Sequence, residues 1–177
     1  MTTMNRNRIA ELIAETSVLH GDFTLRSGRK STYYLDKYLF STQPEILSGL
    51  GALFAERIPA ETDRLAGAEL GGIPLVSSAS IATGKPCLFI RNSKKEYGTA
   101  KQLEGRLEAG DKVVLLEDVA TTGGQALEAA EIIREGGGEV LKVIATIDRE
   151  EGARENFESA GIPFESIFTR TDLGVGD

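Results

Sequence analysis

The sequence is poor in residues that would cross-link the chain or hold it in a membrane. Its 177 residues include one cysteine, Cys87, and one histidine, His20, and we expect both to be structural. A lone cysteine forms no internal disulfide bond, which fits a reducing compartment. No apolar run approaches the ~18 residues of a membrane-spanning helix, and the N-terminal stretch has a polar, helical pattern unlike a signal peptide. These absences predict a cytoplasmic protein without membrane partners.

Net positive charge is also lacking. The chain has 20 Lys and Arg residues against 27 Asp and Glu residues, which gives a formal net charge of −7. Binding to the phosphate backbone of nucleic acids depends on cationic side chains, so this balance argues against nucleic acid as a partner. The length suits one domain of about 100–200 residues. A chain of this size buries roughly 70% of its unfolded surface without disulfides or metals, so we expect a single domain over residues 1–177.

The hydrophobic pattern predicts an α/β fold. Segments 112–118 and 139–148 are almost continuously apolar, as in strands of a parallel sheet buried on both faces. Helical periodicity alternates with such runs, which is typical of a mostly parallel sheet flanked by helices. Near the N-terminus, β-type residues on both sides of the polar stretch SGRKS predict two short strands with a turn at Gly28. Thr42 and Glu45 predict a capping box at the start of the next helix.

One long segment departs from this rhythm. Residues 92–105, NSKKEYGTAKQLEG, have no apolar period and are rich in charged and small side chains. Their length exceeds the usual connection of about 4–6 residues between elements. We expect a disordered or functional loop here, although the KKE triplet taken alone is typical of a solvated charge run.

The most informative segment is VVLLEDVATTGGQALEAA, residues 113–130. A buried strand ends in two carboxylates, Glu117 and Asp118, and a loop of small residues leads from there into a helix. Glycines let several backbone N–H groups converge, and a helix N-terminus adds unpaired donors and a positive dipole end, so the loop suits a phosphate. The acids suit sugar hydroxyls, a bound cation or a developing positive charge. Ligands of parallel sheets lie at the carboxyl ends of the strands, which is where this segment places both features.

Other phosphate-binding loops do not fit this segment. No lysine follows the glycines as in a Walker A loop, and no GxGxxG fingerprint is present. Phosphate on one side and carboxylates on the other indicate a phosphorylated sugar as ligand. The alternative is an acid pair that only caps the following helix.

The segment LLEDVATTGGQ resembles the phosphoribosyl pyrophosphate (PRPP) signature of type I phosphoribosyltransferases. Three further segments resemble orotate phosphoribosyltransferases: GDFTLRSGRKSTYYLD their N-terminal hood, RNSKKEYGTAKQLEG their mobile catalytic loop, and IDREEGA the segment whose arginine contacts orotate. The matches run in order from residue 21 to residue 152. The resemblance implies a type I phosphoribosyltransferase-like fold: a central, mostly parallel sheet flanked by helices, with a small hood at residues 18–40 and a mobile loop at residues 92–105.

The resemblance also implies roles for individual residues. The implied catalytic residues are Lys95, Glu117 and Asp118. The implied substrate-binding residues are Arg26, Tyr34, Leu35, Leu70, Gly71, Arg91, Asn92, Tyr97, Val119, Ala120, Thr121, Thr122, Gly123, Gly124, Gln125 and Arg149. Residues 119–125 and the acids hold the ribose and its 5-phosphate, and Thr121 also touches orotate. Tyr34 and Leu35 line the orotate ring, while Arg149 pairs with the orotate carboxylate.

Two of these roles have alternatives that the sequence leaves open. A planar guanidinium offers a carboxylate bidentate hydrogen bonds that a lysine does not, which supports Arg149 independently. The alternative is a surface arginine paired with the acids of DREE. The Tyr33–Tyr34 pair, taken alone, is more typical of a hydrophobic core than of a ligand platform.

The chain departs from the family pattern at several cationic positions. Arg26 stands where bacterial members commonly have a lysine, and Tyr97 stands where a histidine is frequent. Asn92 and Gly71 replace two lysines of the loop and of the pyrophosphate region. We therefore expect backbone N–H groups at Gly71 and Gly72 to bind phosphate. We also expect Mg²⁺, bound mainly through PRPP, to neutralise the pyrophosphate, with no metal site made by the protein alone.

The implied reaction transfers the 5-phosphoribosyl group from PRPP to orotate, giving orotidine 5′-monophosphate and pyrophosphate, in de novo pyrimidine (UMP) biosynthesis. Since the loop of this family acts on the neighbouring subunit's pyrophosphate, the resemblance also implies a homodimer with shared active sites. Two alternatives stay open. A purine-base phosphoribosyltransferase is disfavoured by the hood and by Arg149, and a non-catalytic PRPP-sensing regulator is supported only by the missing lysines.

Overall fold

The computed structural model describes residues 5–24, 28, 30–93 and 102–175. In these ranges the chain forms a two-stranded antiparallel sheet and a six-stranded central sheet that is covered by helices. Within the same ranges, no helix is long and apolar enough to cross a bilayer.

The N-terminal part consists of helix α1 and the hood. Helix α1 (Arg6–Ser17) leads into the antiparallel strands β1 (Val18–Thr24) and β2 (Lys30–Leu35). The expected pair of short strands is therefore confirmed. A short helix, α2 (Lys37–Ser41), completes the hood and was not expected from the sequence pattern.

The central sheet is parallel except at one edge. In chain order its strands are β3 (Arg64–Ala68), β4 (Cys87–Ile90), β5 (Leu103–Glu104), β6 (Lys112–Ala120), β7 (Glu139–Asp148) and β8 (Phe164–Thr169). Their order in space is β5-β4-β3-β6-β7-β8, and only β5 runs antiparallel to its neighbour. The expected mostly parallel sheet is confirmed. Strand β5 lies within the stretch expected to be a loop, and β8 adds a strand that the apolar runs did not indicate.

Helices pack on both faces of the central sheet. They are α3 (Pro44–Ala55), α4 (Gly72–Thr83), α5 (Gly124–Glu135) and α6 (Ala153–Ser159), with a 3₁₀ turn at Thr171–Leu173. Neighbouring residues of β6 alternate between two hydrophobic cores: Val114 and Leu116 join the core with α1, α3 and α4, whereas Val113 and Leu115 join the core with α5 and α6. Burial on both faces is the reason why this strand is continuously apolar.

The capping box expected from Thr42 and Glu45 is wrong. Helix α3 begins at Pro44 with Gln43 as its N-cap, and no side chain caps it. The Thr42 hydroxyl instead donates to the Tyr38 carbonyl at 2.6 Å, because Thr42 is the C-cap of the unexpected helix α2. A proline at the first helical position has no N–H to satisfy, so the start of α3 needs less capping.

Candidate active site

The parallel strands bring four turns to one end of the central sheet, which we call the carboxyl edge. The turns are residues 69–71 after β3, 91–93 after β4, 121–123 after β6 and 149–152 after β7. Backbone hydrogen bonds join neighbours: the Glu69 N–H donates to the Ile90 carbonyl at 2.8 Å, and the Arg149 N–H donates to the Ala120 carbonyl at 2.9 Å. Most of the expected site residues that the structure describes lie at this edge.

Gln125 and Asn92 tie two of these turns to the start of α5. The Gln125 amide donates to the Glu69 carbonyl and to Asn92 Oδ1, both at 3.0 Å. The Asn92 N–H in turn donates to Glu69 Oε1 at 2.7 Å. Both residues were expected to bind substrate, and the structure shows in addition that they fix the spacing between the turn after β3 and the start of α5.

The acid pair Glu117 and Asp118 lies near the C-terminal end of the central strand β6, and both side chains are buried. Glu117 Oε1 accepts the Asp118 N–H at 2.9 Å. Burial, followed by the charge of Asp118, raises the pKa of Glu117 to about 8. At neutral pH this raised pKa favours a proton on Glu117. The next two residues, Val119 and Ala120, pack into the two hydrophobic cores.

Lys37, the first residue of α2, reaches the acid pair from the hood. Its Nζ lies 2.7 Å from Asp118 Oδ2. Burial opposes the charge on Lys37, but Asp118 outweighs burial, so the pKa of Lys37 is raised. Sequence reasoning missed this residue. The only signal was its place directly after the segment that resembles the hood, and nothing in the spacing indicates that the hood folds over β6.

Gly71 lies against the same carboxylate oxygen of Asp118 that Lys37 contacts. A Cβ built on Gly71 would stand 1.6 Å from Asp118 Oδ2, so any side chain here would displace the carboxylate. Leu70, one residue earlier, is 65% exposed and follows a cis peptide bond from Glu69. The turn after β3 therefore presents backbone and one exposed apolar side chain to the site, and no cation.

The loop between β6 and α5 has the features of an anion site. Gly123 has φ +78° and stands before α5, whose N-terminus has no side-chain cap. A Cβ on Gly123 would meet the Phe157 ring at 2.7 Å, so both conformation and space require glycine. Thr122 and Gly124 are exposed, and the Thr122 carbonyl accepts the Asn156 amide at 2.8 Å. The first N–H groups of α5 are thus available to an anion beside Thr121 and Thr122.

Arg149, directly after β7, reaches towards the hood. Its Nη2 lies 3.0 Å from Glu151 Oε1 and donates to the Tyr33 hydroxyl at 3.4 Å. The guanidinium also stands over the Tyr33 ring, with Cζ 5.7 Å from its centroid. Arg149 is therefore paired within DREE, as the alternative proposed, but only 16% of its side chain is exposed, so it is not a surface residue.

Tyr33 and Tyr34 of strand β2 point in opposite directions, as successive residues of a strand do. Tyr33 is 5% exposed and belongs to the hydrophobic core, whereas Tyr34 is 45% exposed. The Tyr34 ring lies 5.7 Å from that of Phe23 across the hood. Leu35 packs against the same core as Tyr33, so Tyr34 and Leu35 do not share a face of β2. Their roles in lining orotate stay predictions.

Three expected site residues, Arg26, Lys95 and Tyr97, lie outside the described residues. Arg91, directly before the loop, is among the described residues. Its backbone N–H donates to the Gln102 carbonyl at 2.8 Å. Its Nε is buried without a hydrogen-bond partner in the described part of the chain. Over that same part, no three His, Cys, Asp or Glu side chains cluster as a metal site.

Comparisons with known proteins agree on the family. Residues 40–164 match the phosphoribosyl transferase domain family. Curated relatives called orotate phosphoribosyltransferase include one from Methanocella arvoryzae, 46% identical over 93% of this chain and 95% of its own length. Another, from Natronomonas pharaonis, is 45% identical over 96% of both chains.

Solved structures give the same result. The crystal structure of orotate phosphoribosyltransferase from Mycobacterium tuberculosis with Fe(III) dicitrate superposes with a TM-score of 0.87 at 34% identity, covering 96% of this chain and 99% of that one. The complex of the same enzyme with PRPP superposes with a TM-score of 0.83 at 31% identity, with the same coverage. The chain therefore belongs to the phosphoribosyl transferase family and, within it, to the orotate phosphoribosyltransferases.

Proposed function

We propose that this chain transfers the 5-phosphoribosyl group from PRPP to orotate, releasing pyrophosphate and forming orotidine 5′-monophosphate for pyrimidine biosynthesis. One observation carries the proposal beyond family membership: an uncapped helix N-terminus, a buried acid pair and a half-buried arginine lie at the same carboxyl edge. These three features match the 5-phosphate, the ribose and the orotate carboxylate respectively.

The phosphoribosyl group would bind along the β6–α5 segment. The backbone N–H groups of residues 121–125 would hold the 5-phosphate, aided by the hydroxyls of Thr121 and Thr122. Asp118 would accept hydrogen bonds from the ribose hydroxyls, and protonated Glu117 could both donate and accept. The Asp118 charge would also stabilise the positive ribosyl carbon that develops as the bond to pyrophosphate breaks.

Orotate would bind between the hood and the turn after β7. The Arg149 guanidinium would exchange its contact with Glu151 for the orotate carboxylate, and Tyr34, Leu35 and Thr121 would line the ring. Orotate already carries a negative charge, so the new bond to its ring nitrogen needs no nucleophilic side chain. The chain's contribution is then positioning and exclusion of water.

Mg²⁺ would enter with PRPP. Magnesium keeps several waters and is commonly held by one or two carboxylates together with substrate phosphates. Near the end of β6, Asp118 supplies one such carboxylate, so the described residues fit an ion that is held mainly by the substrate. Bound there, it would neutralise charge on the leaving pyrophosphate.

The remaining assignments also belong to this proposal. The loop at residues 92–105 would act on the pyrophosphate in the site of a partner subunit of a homodimer, through Lys95, Tyr97 and the preceding Arg91. Arg26 would add positive charge from the hood. Residues 1–177 would form one domain, located in the cytoplasm. A purine-base enzyme or a PRPP-sensing regulator is not favoured, because the curated relatives that cover nearly the full chain carry the orotate activity in their names.

Direct assay of turnover tests the function. Purified protein with Mg²⁺ and PRPP should consume orotate, followed by its ultraviolet absorbance, and should leave adenine and guanine unchanged. Asp118→Asn should keep the fold but lose about 10²-fold or more in kcat, because stabilisation of transition-state charge is lost. Folded wild-type protein that does not consume orotate would contradict the proposal, and so would preference for a purine.

Replacement of Arg149, the proposed partner of the orotate carboxylate, should weaken the binding of orotate but not of PRPP. Arg149→Lys keeps the charge but loses bidentate geometry, so we expect KM for orotate to rise about 10- to 100-fold. KM for PRPP should change less than twofold. Arg154→Lys is the matched control, since Arg154 is more than half exposed, stands over the Phe164 ring and lies 3.8 Å from Asp148, whose charge a lysine can still face. Equal effects of Arg149→Lys on both KM values would argue against this role.

The protonated acid should make stability depend on pH. The folded chain holds a proton on Glu117 up to about pH 8, whereas the ordinary pKa of this group is 4.5. Between these values the folded state binds a proton that the unfolded state lacks, so raising the pH favours unfolding. Glu117→Gln removes the titrating carboxyl group and with it this contribution to the pH dependence of stability. The melting temperature of the wild type should therefore fall more than that of Glu117→Gln between about pH 5 and pH 9. Parallel curves would show that Glu117 is not protonated.

A further inference from the structure

The ion pair between the hood and the central sheet offers a cation that none of the proposed roles uses. Lys37 Nζ lies 2.7 Å from Asp118 Oδ2, and the two side chains are 32% and 3% exposed. Asp118 is thus sealed inside the carboxyl edge, while part of Lys37 still faces solvent. An ammonium group has three donors, and this contact occupies one of them.

The position of this ammonium is fixed by a shared atom. Asp118 Oδ2, which contacts Lys37, is also the atom that fills the space beside Gly71. Lys37 therefore lies next to the turn after β3, at the start of α4. No side chain can project from position 71 while Asp118 keeps this conformation, so a cation for this corner of the site has to come from another element. Within the described residues, the hood provides it.

The charges at this corner require such a cation. A pyrophosphate group that leaves the ribosyl carbon gains negative charge, and the buried Asp118 carboxylate beside that carbon would repel it. The start of α4 has no side-chain cap, so its backbone N–H groups are available to an anion. These groups carry only a partial positive charge. The Lys37 ammonium carries a full positive charge. One of its N–H groups faces Asp118, and the other two are left for phosphate oxygens.

We propose that Lys37 binds the pyrophosphate group of PRPP, and that its ion pair with Asp118 holds the ammonium in place before the substrate arrives. This inference rests on the proposed function. It adds a substrate-contacting residue on the hood, so the hood serves both orotate and the leaving group.

Binding measurements on ligands with and without the pyrophosphate group test this role. Calorimetry with Mg²⁺ would compare PRPP and ribose 5-phosphate on wild type, Lys37→Met and Lys37→Arg. Lys37→Met should weaken PRPP about 10- to 100-fold, the range for a lost hydrogen bond between charged groups. Ribose 5-phosphate, which lacks the pyrophosphate, should bind within about twofold of wild type, and Lys37→Arg should recover part of the PRPP affinity.

The matched control is Lys30→Met, because Lys30 is an exposed hood lysine that donates to Thr24 Oγ1 and lies outside the proposed site. It should bind both ligands as the wild type does. Lys37→Gln replaces Lys37→Met in the comparison if melting curves show the latter to be unfolded. Unchanged PRPP affinity would overturn the proposal, and so would an equal loss for both ligands, which would mean that Lys37 acts on the sugar through Asp118. Wild type that binds PRPP but does not consume orotate would contradict the proposed function and leave this comparison valid.

Discussion

The carboxylate of Asp118 is held almost out of water at the end of the central strand, and much of the site is arranged around that charge. A buried carboxylate is costly unless it is paired or hydrogen-bonded. Lys37 supplies the partner from the hood, at 2.7 Å. Burial, followed by the charge of Asp118, raises the pKa of the neighbouring Glu117 to about 8. Gly71 has no side chain because Asp118 occupies that space.

This arrangement resolves an apparent mismatch between an acidic chain and polyanionic substrates. The net charge of −7 is an average over the surface, and exposed acids on α5, such as Glu128, Glu131 and Glu135, contribute to it. At the carboxyl edge, positive charge comes instead from helix N-termini and from a few cations, of which Lys37, Arg91 and Arg149 are described. Net charge therefore does not describe the pocket, and the expectation that nucleic acid is not a partner stays a prediction.

The parts of the fold that follow from local pattern were predictable. Continuous apolar runs indicate strands buried on both faces, and β6 and β7 are such strands. The acids lie near the C-terminal end of β6, the small-residue loop follows β6, and Arg149 follows β7, so parallel pairing alone brings them to one edge. The resemblance to a known family added the substrate, which the spacing of residues alone leaves open.

The parts that depend on packing between distant elements were not predictable. Lys37 is ordinary in sequence, and its role depends on the hood folding onto β6. The opposite orientations of Tyr34 and Leu35 follow from strand alternation, but only after the register of β2 is known. The predicted capping box at Thr42 is wrong because Thr42 is the C-cap of helix α2. The role of Lys37 thus depends on a tertiary contact, whereas the Thr42 prediction was wrong for a local reason, since its hydroxyl donates to the Tyr38 carbonyl four residues earlier.

We propose that the loop between β6 and α5, together with Asp118, forms the phosphoribosyl site. A crystal structure of the protein with ribose 5-phosphate would show whether it does. We expect the phosphate on the backbone N–H groups of residues 121–125, with the ribose hydroxyls within hydrogen-bond distance of Asp118. A phosphate bound elsewhere, with Asp118 still paired only to Lys37, would contradict it.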